Sequence, residues 1–323
     1  MPPRVYVILL NWNGASDTMA CLESLMRLEH ANYQLVVCEN GSADDSVERL
    51  RAWASGPAGW RMVEYARDLA EHGGIAGDEA DLFMLHTGAN LGFAGGCNVG
   101  LRFATARGDA DFVWLLNNDT EVSPDALSTL VARASQPDSP GIVGSLLCYF
   151  DERDRIQSVG GGTFDEMRGT TFHIAEGESR AGLSQIRIRE AEATMTYVVG
   201  ASMLVSSDFL ARVGLMEEDY FLYYEEMDWA ERARRAQPPF KLGLAADSVV
   251  FHKVGASAGT HQKSLSSLQY LTRSRMRFIK RFYPRRLRSV RLHVAWEAAK
   301  ALVKGRVAEA RLKMMLAFSS LKL

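Results

Sequence analysis

The residues in this chain best suited to chemistry stand at the ends of apolar runs. The run Val5 to Leu10 ends in Asn11-Trp12-Asn13-Gly14, and the run Gln34 to Cys38 ends in Glu39-Asn40-Gly41-Ser42. A third, Leu82 to Leu85, leads to Asn90-Leu91-Gly92-Phe93-Ala94-Gly95-Gly96-Cys97-Asn98. A fourth, Phe112 to Leu116, ends in Asn117-Asn118-Asp119-Thr120. Any one of these is ordinary turn chemistry, because Asn, Asp, Gly and Ser close turns and cap helices. Four of them, each following a strand of one parallel sheet, share the edge where such sheets bind ligands. Asp119 is a lone carboxylate flanked by amides. Those hard oxygen ligands suit Mg²⁺ or Mn²⁺ bridged to substrate phosphates; as a turn residue ahead of Ser123, Asp119 needs no ligand at all. Further on, Glu225, Glu226 and Asp228 follow the aromatic run Phe221 to Tyr224. Glu225 and Asp228 are three apart and share a face once a helix has begun. Acids at a helix start suit its dipole; among aromatics, one of them also makes a general base with a raised pKa. His252 ends the apolar run from Ser248. It is either a hydrogen-bonded structural histidine or a ligand that joins Asp119 across the sheet.

Holding these residues in place takes a sheet and its helices, and the pattern supplies both. The four apolar runs read as buried strands. Between them lie helical patterns at Ser16 to Arg27, Ala43 to Trp53 and Gly95 to Arg107, and Ser123-Pro124 opens another, serine as N-cap and proline at N1. Strands alternating with helices predict an α/β fold, a mostly parallel sheet with helices on both faces. The Gly-rich stretch from Ser55 to Gly77 reads as a long excursion between strands. From about Leu146 the pattern changes: 156 to 175 and 186 to 205 read as shorter, partly antiparallel strands. A helix returns at Glu225 to Arg235, and helices broken near Pro284 and Gly305 run from Ser264 to the end.

Composition narrows the function classes. Hydrophobic residues make up 47% and charged residues 24%, the balance of a chain with a sizeable core. The four cysteines, Cys21, Cys38, Cys97 and Cys148, form no CxxC pair, which argues against a zinc cluster and fits a reducing compartment. The glycine loop is neither GxGxxG nor GxxxxGK[ST], so a dinucleotide site and a P-loop are both unsupported. No run is long enough to cross a bilayer and no leader is visible, so a cytoplasmic location is expected. The net charge of -2 hides an asymmetry. Residues 273 to 323 hold 15 Lys and Arg against two acids, while residues 1 to 272 hold 22 against 37. A basic tail of this kind predicts an anionic partner; an anionic membrane surface fits, whereas no aromatic stacking pattern or module speaks for nucleic acid.

Seven motifs in order make the sequence resemble glycosyltransferase family 2, the inverting GT-A transferases, and within it the rhamnosyltransferase-like branch. They are VILLNWNG, VVCENGS, NLGFAGGCNVG, WLLNNDTEVSP, VVGASMLV, FLYYEEMDWAERA and FHKVGAS, spread from Val5 to Ser257. The resemblance implies a GT-A domain over residues 1–262, with a nucleotide-binding half (1–125) and an acceptor half (126–262), followed by a basic helical segment over 263–323. It implies that Asn11, Asn13 and Glu39 hold base and ribose, with Asn90, Gly92 and Asn98 beside the nucleotide. Asn117-Asn118-Asp119 stands where the family has DxD, so that Asp119, completed by His252, holds Mg²⁺ or Mn²⁺ on the diphosphate. Glu226 matches the catalytic base, with Asp228 as the alternative. Three positions depart from the family pattern: Glu39 and Glu226 each replace an Asp, and Asn117 replaces the first Asp of DxD. The implied reaction moves a sugar, L-rhamnose from dTDP-rhamnose or a sugar from a UDP donor, to a hydroxyl of a lipid-linked or cell-envelope glycan. A non-catalytic nucleotide-sugar-binding protein with a degenerate DxD site is the alternative.

Overall fold

The computed structural model describes residues 2–253 and 264–318. The chain starts as a parallel β/α array: β1 (Val5–Asn11), α1 (Ala15–Leu25), β2 (Tyr33–Glu39), α2 (Ser46–Ser55), β3 (Met62–Ala66), α3 (Arg67–Glu71), β4 (Leu82–His86), α4 (Gly92–Arg107) and β5 (Phe112–Asn117). Then come β6 (Thr120–Val122), α5 (Ala126–Ala134), β7 (Ile142–Tyr149), β8 (Ile156–Val159), β9 (Gly161–Asp165) and β10 (Thr170–His173). After α6 (Gln185–Thr194) follow β11 (Tyr197–Val198), β12 (Ser202–Ser206), α7 (Ser207–Val213), α8 (Glu225–Arg235) and β13 (Leu242–His252). The last described elements are α9 (Leu265–Phe282), α10 (Leu287–Val303) and α11 (Val307–Phe318), with breaks at Pro284 and Gly305.

The strands join in the order β3-β4-β2-β1-β5-β12-β7-β13-β6, with β8 beside β7. Pairing is parallel from β3 to β5 and between β7 and β13; β12 runs antiparallel between β5 and β7. That reversal brings the start of β12 to the C-terminal end of β5, where Asn117 N donates to Ala201 O at 3.0 Å. The period-2 alternation of β1 splits the core in two. Val5, Val7 and Leu9 pack with Leu22, Leu50 and Leu127 of α1, α2 and α5 on one face. Tyr6 and Ile8 pack with Phe103, Phe209 and Trp229 of α4, α7 and α8 on the other. Helices thus cover both faces, as the alternating pattern predicts. A small sheet, β10-β9-β11, lies apart and meets α9 through Phe164 and Phe278.

Three local expectations are corrected. The excursion from Ser55 to Gly77 contains an edge strand, β3, whose residues are mostly half-buried and so show no continuous apolar run. Residues 186 to 194 are helix, not strand: Ile186 and Ile188 alternate with arginines, a strand-like period, but Ser184 caps α6 by accepting from Arg187 N. Ser123 does not cap α5, which opens at Ala126; among the described residues the buried Ser123 hydroxyl has no hydrogen-bond partner. Among the described residues no helix is long and apolar enough to cross a membrane.

Candidate active site

The loops after β1 and β2 are knitted together by Ser42 and Thr18, two residues whose roles have no sequence signature beyond turn composition. Ser42 N and Oγ donate to the two Glu39 carboxylate oxygens at 2.6 and 3.2 Å. Asn13 N donates to Ser42 Oγ, and Asn13 Oδ1 accepts from Ala43 N at 2.8 Å. Asn11 Oδ1 accepts from Thr18 Oγ1 at 2.8 Å, and Asn118 Nδ2 donates to the same hydroxyl at 2.9 Å. Asn11 and Glu39 are buried, so here they hold the loops, while Asn13 stays exposed above them.

The glycine-rich segment is tied to the end of β2 by Asn40. Its Nδ2 donates to Asn90 Oδ1 and Gly92 O, and its Oδ1 accepts from Leu91 N. Small residues in this segment allow close packing. A Cβ on Gly92, Gly96 or Gly100 would lie within 3 Å of Phe221 O, Leu10 or Ile8 respectively. At spacing four these glycines form the one face of α4 that presses on the sheet and on the segment before α8. Asn98 is a correction. It is fully buried, its Nδ2 donates to Met216 O and Glu218 Oε1, and its Oδ1 accepts from Met216 N. Both ends of the amide anchor the segment leading to α8, leaving nothing for a nucleotide.

Asp119 sits in the two-residue turn after β5, and His252 ends β13. Strand β13 pairs with β6 so that His252 faces Thr120, and Lys253 N donates to Asp119 O. His252 Nε2 lies 3.2 Å from Asp119 Oδ1 and 3.3 Å from Asn117 Nδ2. On the other side of the ring, Nδ1 is 2.9 Å from Gln157 Oε1, which sequence reasoning missed because Gln157 is a β8 residue with no motif around it. Gln157 Oε1 as acceptor keeps the proton on Nδ1 and leaves the Nε2 lone pair facing the carboxylate. A proton between these two atoms makes an ordinary hydrogen bond; without it, their spacing also suits a divalent cation. Ligands at right angles about 2.1 Å from one octahedral ion are about 3 Å apart, so the pair fits Mg²⁺ or Mn²⁺. Among the described residues no third His, Cys, Asp or Glu joins this pair in a metal-holding group.

The acids of α8 diverge. Tyr223 and Tyr224 both take left-handed backbone (φ 69° and 72°), a costly conformation for aromatic residues that turns the chain into α8. Glu225 is buried, and among the described residues its Oε2 has no hydrogen-bond partner. Burial, then the charge of Glu226, pushes its pKa well above the ordinary carboxylate range. Glu226 is half-buried, and burial raises its pKa to about 7. Asp228 is the second correction. Its side chain has no exposure, and it is held between Arg232 at 2.7 Å and Arg281 at 2.8 Å. A carboxylate shut between two guanidiniums cannot reach an acceptor hydroxyl, so Asp228 is an anchor, and of the two candidates only Glu226 keeps some exposure.

Helix α9 straps this turn from outside. Tyr270 stacks on Phe221 with centroids 4.6 Å apart, and Ser274 Oγ donates to Leu222 O at 2.9 Å. Arg277 pairs with Asp219, and Arg281 reaches Glu217 as well as Asp228. Buried Arg275 faces the Tyr224 hydroxyl and is itself held by Glu297 of α10 at 3.1 Å, while Tyr224 Oη donates to Gly169 O. Phe93 N donates to Phe221 O, which docks the whole turn against the glycine-rich segment. The structure therefore gathers Asn13, Asn90, Gly92, Asn117, Asn118, Asp119 and His252 along the edge formed by the strand ends, with the Phe221–Glu226 turn beside Gly92. Of the FHKVGAS motif, Val254–Ser257 lie outside the described residues.

A sheet of this order, with an Asn-Asn-Asp turn at the end of its central parallel strand, a histidine beside it and an acidic helix start docked on the glycine-rich loop, defines a GT-A fold. The chain belongs to glycosyl transferase family 2, whose model matches residues 6–206. Among its relatives are the low-salt glycan biosynthesis hexosyltransferase Agl10 of Haloferax volcanii, 24% identical over 62% of this chain and 61% of the relative. The galactofuranosyltransferase GlfT1 of Mycobacterium tuberculosis is 27% identical over 56% of this chain and 55% of that one. The N-acetylglucosaminyl-diphospho-decaprenol L-rhamnosyltransferase of the same species is 25% identical over 47% of this chain and 53% of that one. The matches thus span between about half and three fifths of these relatives' lengths. Among solved structures, the mannosyltransferase PcManGT from Pyrobaculum calidifontis, in complex with GDP-Man and Mn²⁺, shares the fold at TM-score 0.55 and 16% identity, covering 97% of this chain and 79% of that one. GalNAc-T7, with UDP, GalNAc and Mn²⁺, does so at TM-score 0.61 and 12% identity, covering 99% and 56%.

Proposed function

We propose that this chain is an inverting, metal-dependent hexosyltransferase that moves a sugar from a nucleotide diphosphate donor to a hydroxyl of a lipid-linked or cell-envelope glycan. The observation that carries it is the pairing of two features at one sheet edge: the Asp119–His252 couple at 3.2 Å, and Glu226 with its pKa lifted to about 7. The nucleotide-binding half (1–125) supplies the donor loops through Asn13, Asn90 and Gly92, with Asn11, Glu39, Asn117 and Asn118 holding them in shape. The acceptor half (126–262) supplies the base, and the helical segment (263–323) backs it. Asp119 and His252 would hold Mg²⁺ or Mn²⁺, which neutralises charge on the leaving diphosphate when bound. Glu226 takes the proton of the acceptor hydroxyl as that oxygen attacks the anomeric carbon from the face opposite the diphosphate, and a single displacement inverts the centre.

L-rhamnose from dTDP-L-rhamnose is the donor we favour, supported by the rhamnosyltransferase relative. A UDP-sugar donor is the second reading, favoured by the galactofuranosyltransferase relative, whose match is longer. The expected site of action is the cytoplasmic face of a membrane, where a lipid-linked acceptor sits. A thermal-shift panel of nucleotide sugars, with and without Mn²⁺, tests the donor by mass action. The preferred donor should raise the melting temperature only with metal, and Asp119→Ala should abolish that metal-dependent shift and sugar release from labelled donor while keeping the fold. Full activity of Asp119→Ala in metal-free buffer would remove the metal reading; binding of donor without any sugar release by the wild type would leave a non-catalytic nucleotide-sugar-binding protein.

A further inference from the structure

Half of the large apolar side chains left exposed among the described residues fall on one helical hairpin, α10 and α11. On α10, Arg288, Leu292, Trp296, Lys300 and Val303 recur at helical spacing and form a single outward stripe. On α11, Val307, Arg311, Met315 and Phe318 form another. The stripes meet at the turn around Gly305, where Leu302, Val303 and Val307 are 57%, 88% and 61% exposed. Scattered apolar residues are normal on a protein surface, but a continuous stripe ending in a bare apolar tip marks a contact.

The charges around the tip name the partner. The hairpin's two acids point inward: Glu297 pairs with Arg275, His293 and Lys313, and Glu309 with Arg306 and Lys313. Lys300, Lys304 and Arg311 stay exposed, and Lys300 Nζ stands over the Trp296 ring at 3.6 Å. Apolar residues and a tryptophan within a collar of cations match the boundary between acyl chains and anionic headgroups. A second copy of this face would bring like charges together, so self-association is disfavoured. The apolar surface continues inward as an open groove of about 710 Å³ between α11 and the first turn of α9, lined by Leu265, Val307, Leu312 and Met315.

We infer that the α10–α11 hairpin, led by Leu302, Val303 and Val307, is the surface by which this chain docks on an anionic lipid bilayer. The inference deepens the proposed function, on whose lipid-linked acceptor its purpose rests. It moves the lipid contact away from Arg275, Arg277, Arg281 and Arg286, which are committed to acids of the protein itself. The test is co-sedimentation of the full chain with phosphatidylcholine vesicles, with and without phosphatidylglycerol, over a salt series. The wild type should bind the anionic vesicles at low salt and release as salt rises. Val303→Asp/Val307→Asp should lower partitioning roughly tenfold or more, and Lys300→Glu/Lys304→Glu should remove the preference for phosphatidylglycerol. Both variants change exposed residues and should keep the wild-type melting temperature and sugar release from donor. Unchanged partitioning of Val303→Asp/Val307→Asp overturns the inference. So does a wild type that binds neither vesicle, or a wild-type dimer that this variant makes monomeric in light scattering. A wild type that docks as expected yet releases no sugar from any donor would sink the proposed activity and leave the docking surface standing.

Discussion

Two adjacent glutamates open α8, and their difference in burial gives them different work. Glu225 is buried, and burial and the neighbouring Glu226 push its carboxyl well above the ordinary range; Glu226, half-buried, is poised at about 7. Around Glu226 stand the Glu225 carboxyl and the hydroxyls of Tyr197 and Tyr224, none of them a cation. A base works only when deprotonated, so kcat should rise with pH through about 7 and level off above it. Glu226→Gln should cut kcat by about 10² or more, remove that limb and leave donor affinity in thermal shift little changed. Asp228→Asn should behave the other way: it leaves Arg232 and Arg281 facing a neutral amide at a buried site, so stability falls while the pH limb stays. A limb that follows Asp228 instead of Glu226 would reverse the assignment. The sequence shows three carboxylic acids within four positions; only the fold shows that one of them is sealed between arginines.

At the scale of elements, the turn that carries Glu226 is held by a strap drawn from three elements: Tyr224, Arg275 and Glu297 come from α8's entry, α9 and α10. Tyr224→Phe removes the hydroxyl that donates to Gly169 O while keeping the ring against Phe278. The left-handed turn it stabilises sets where Glu226 points, so kcat should fall roughly tenfold, with KM for donor and the melting temperature changed little. Equal kcat in Tyr224→Phe and wild type would make the strap a packing feature only. The elements themselves were largely legible. Strands β1, β2, β4 and β5 and helix α8 follow from continuous apolar runs and helical periodicity, and the tail breaks fall at Pro284 and Gly305 as their chemistry requires. What was hidden had a physical cause each time. Strand β3 is an edge strand with mixed polarity, and α6 carries an Ile-Arg-Ile-Arg alternation that imitates a strand. Asn98 has the same residue type as Asn90, but it faces Met216 rather than the strand-end loops, and no local pattern encodes that direction.

At the scale of the whole molecule, the acidic body and the basic tail are partly each other's partners. Arg277, Arg281 and Arg286 reach Asp219, Glu217, Asp228 and Glu166. Pairs as exposed as Arg286–Glu166 contribute about 0–1 kcal/mol and are screened by salt. The apolar contact is larger. Phe278 is 1% exposed and packs on Phe164, Tyr224, Phe282 and Tyr283, joining α9 to the small sheet and to the turn before α8. Truncating a buried phenylalanine costs about 3–5 kcal/mol. Burial of Phe278, with the sealed Arg281–Asp228 pair, therefore fixes the tail to the body more firmly than its exposed ion pairs do. Phe278→Ala should lower unfolding free energy in urea by about 3–5 kcal/mol, and activity should fall with it because the strap loosens. Raising salt to about 1 M, where the Debye length is about 3 Å, should cost the wild type less than that substitution does. The opposite order would mean that ion pairs carry the attachment. If burial carries it, high salt can strip the hairpin's outward cations from a bilayer while α9 stays seated on the catalytic turn, so release from lipid and loss of the base's support are separable events.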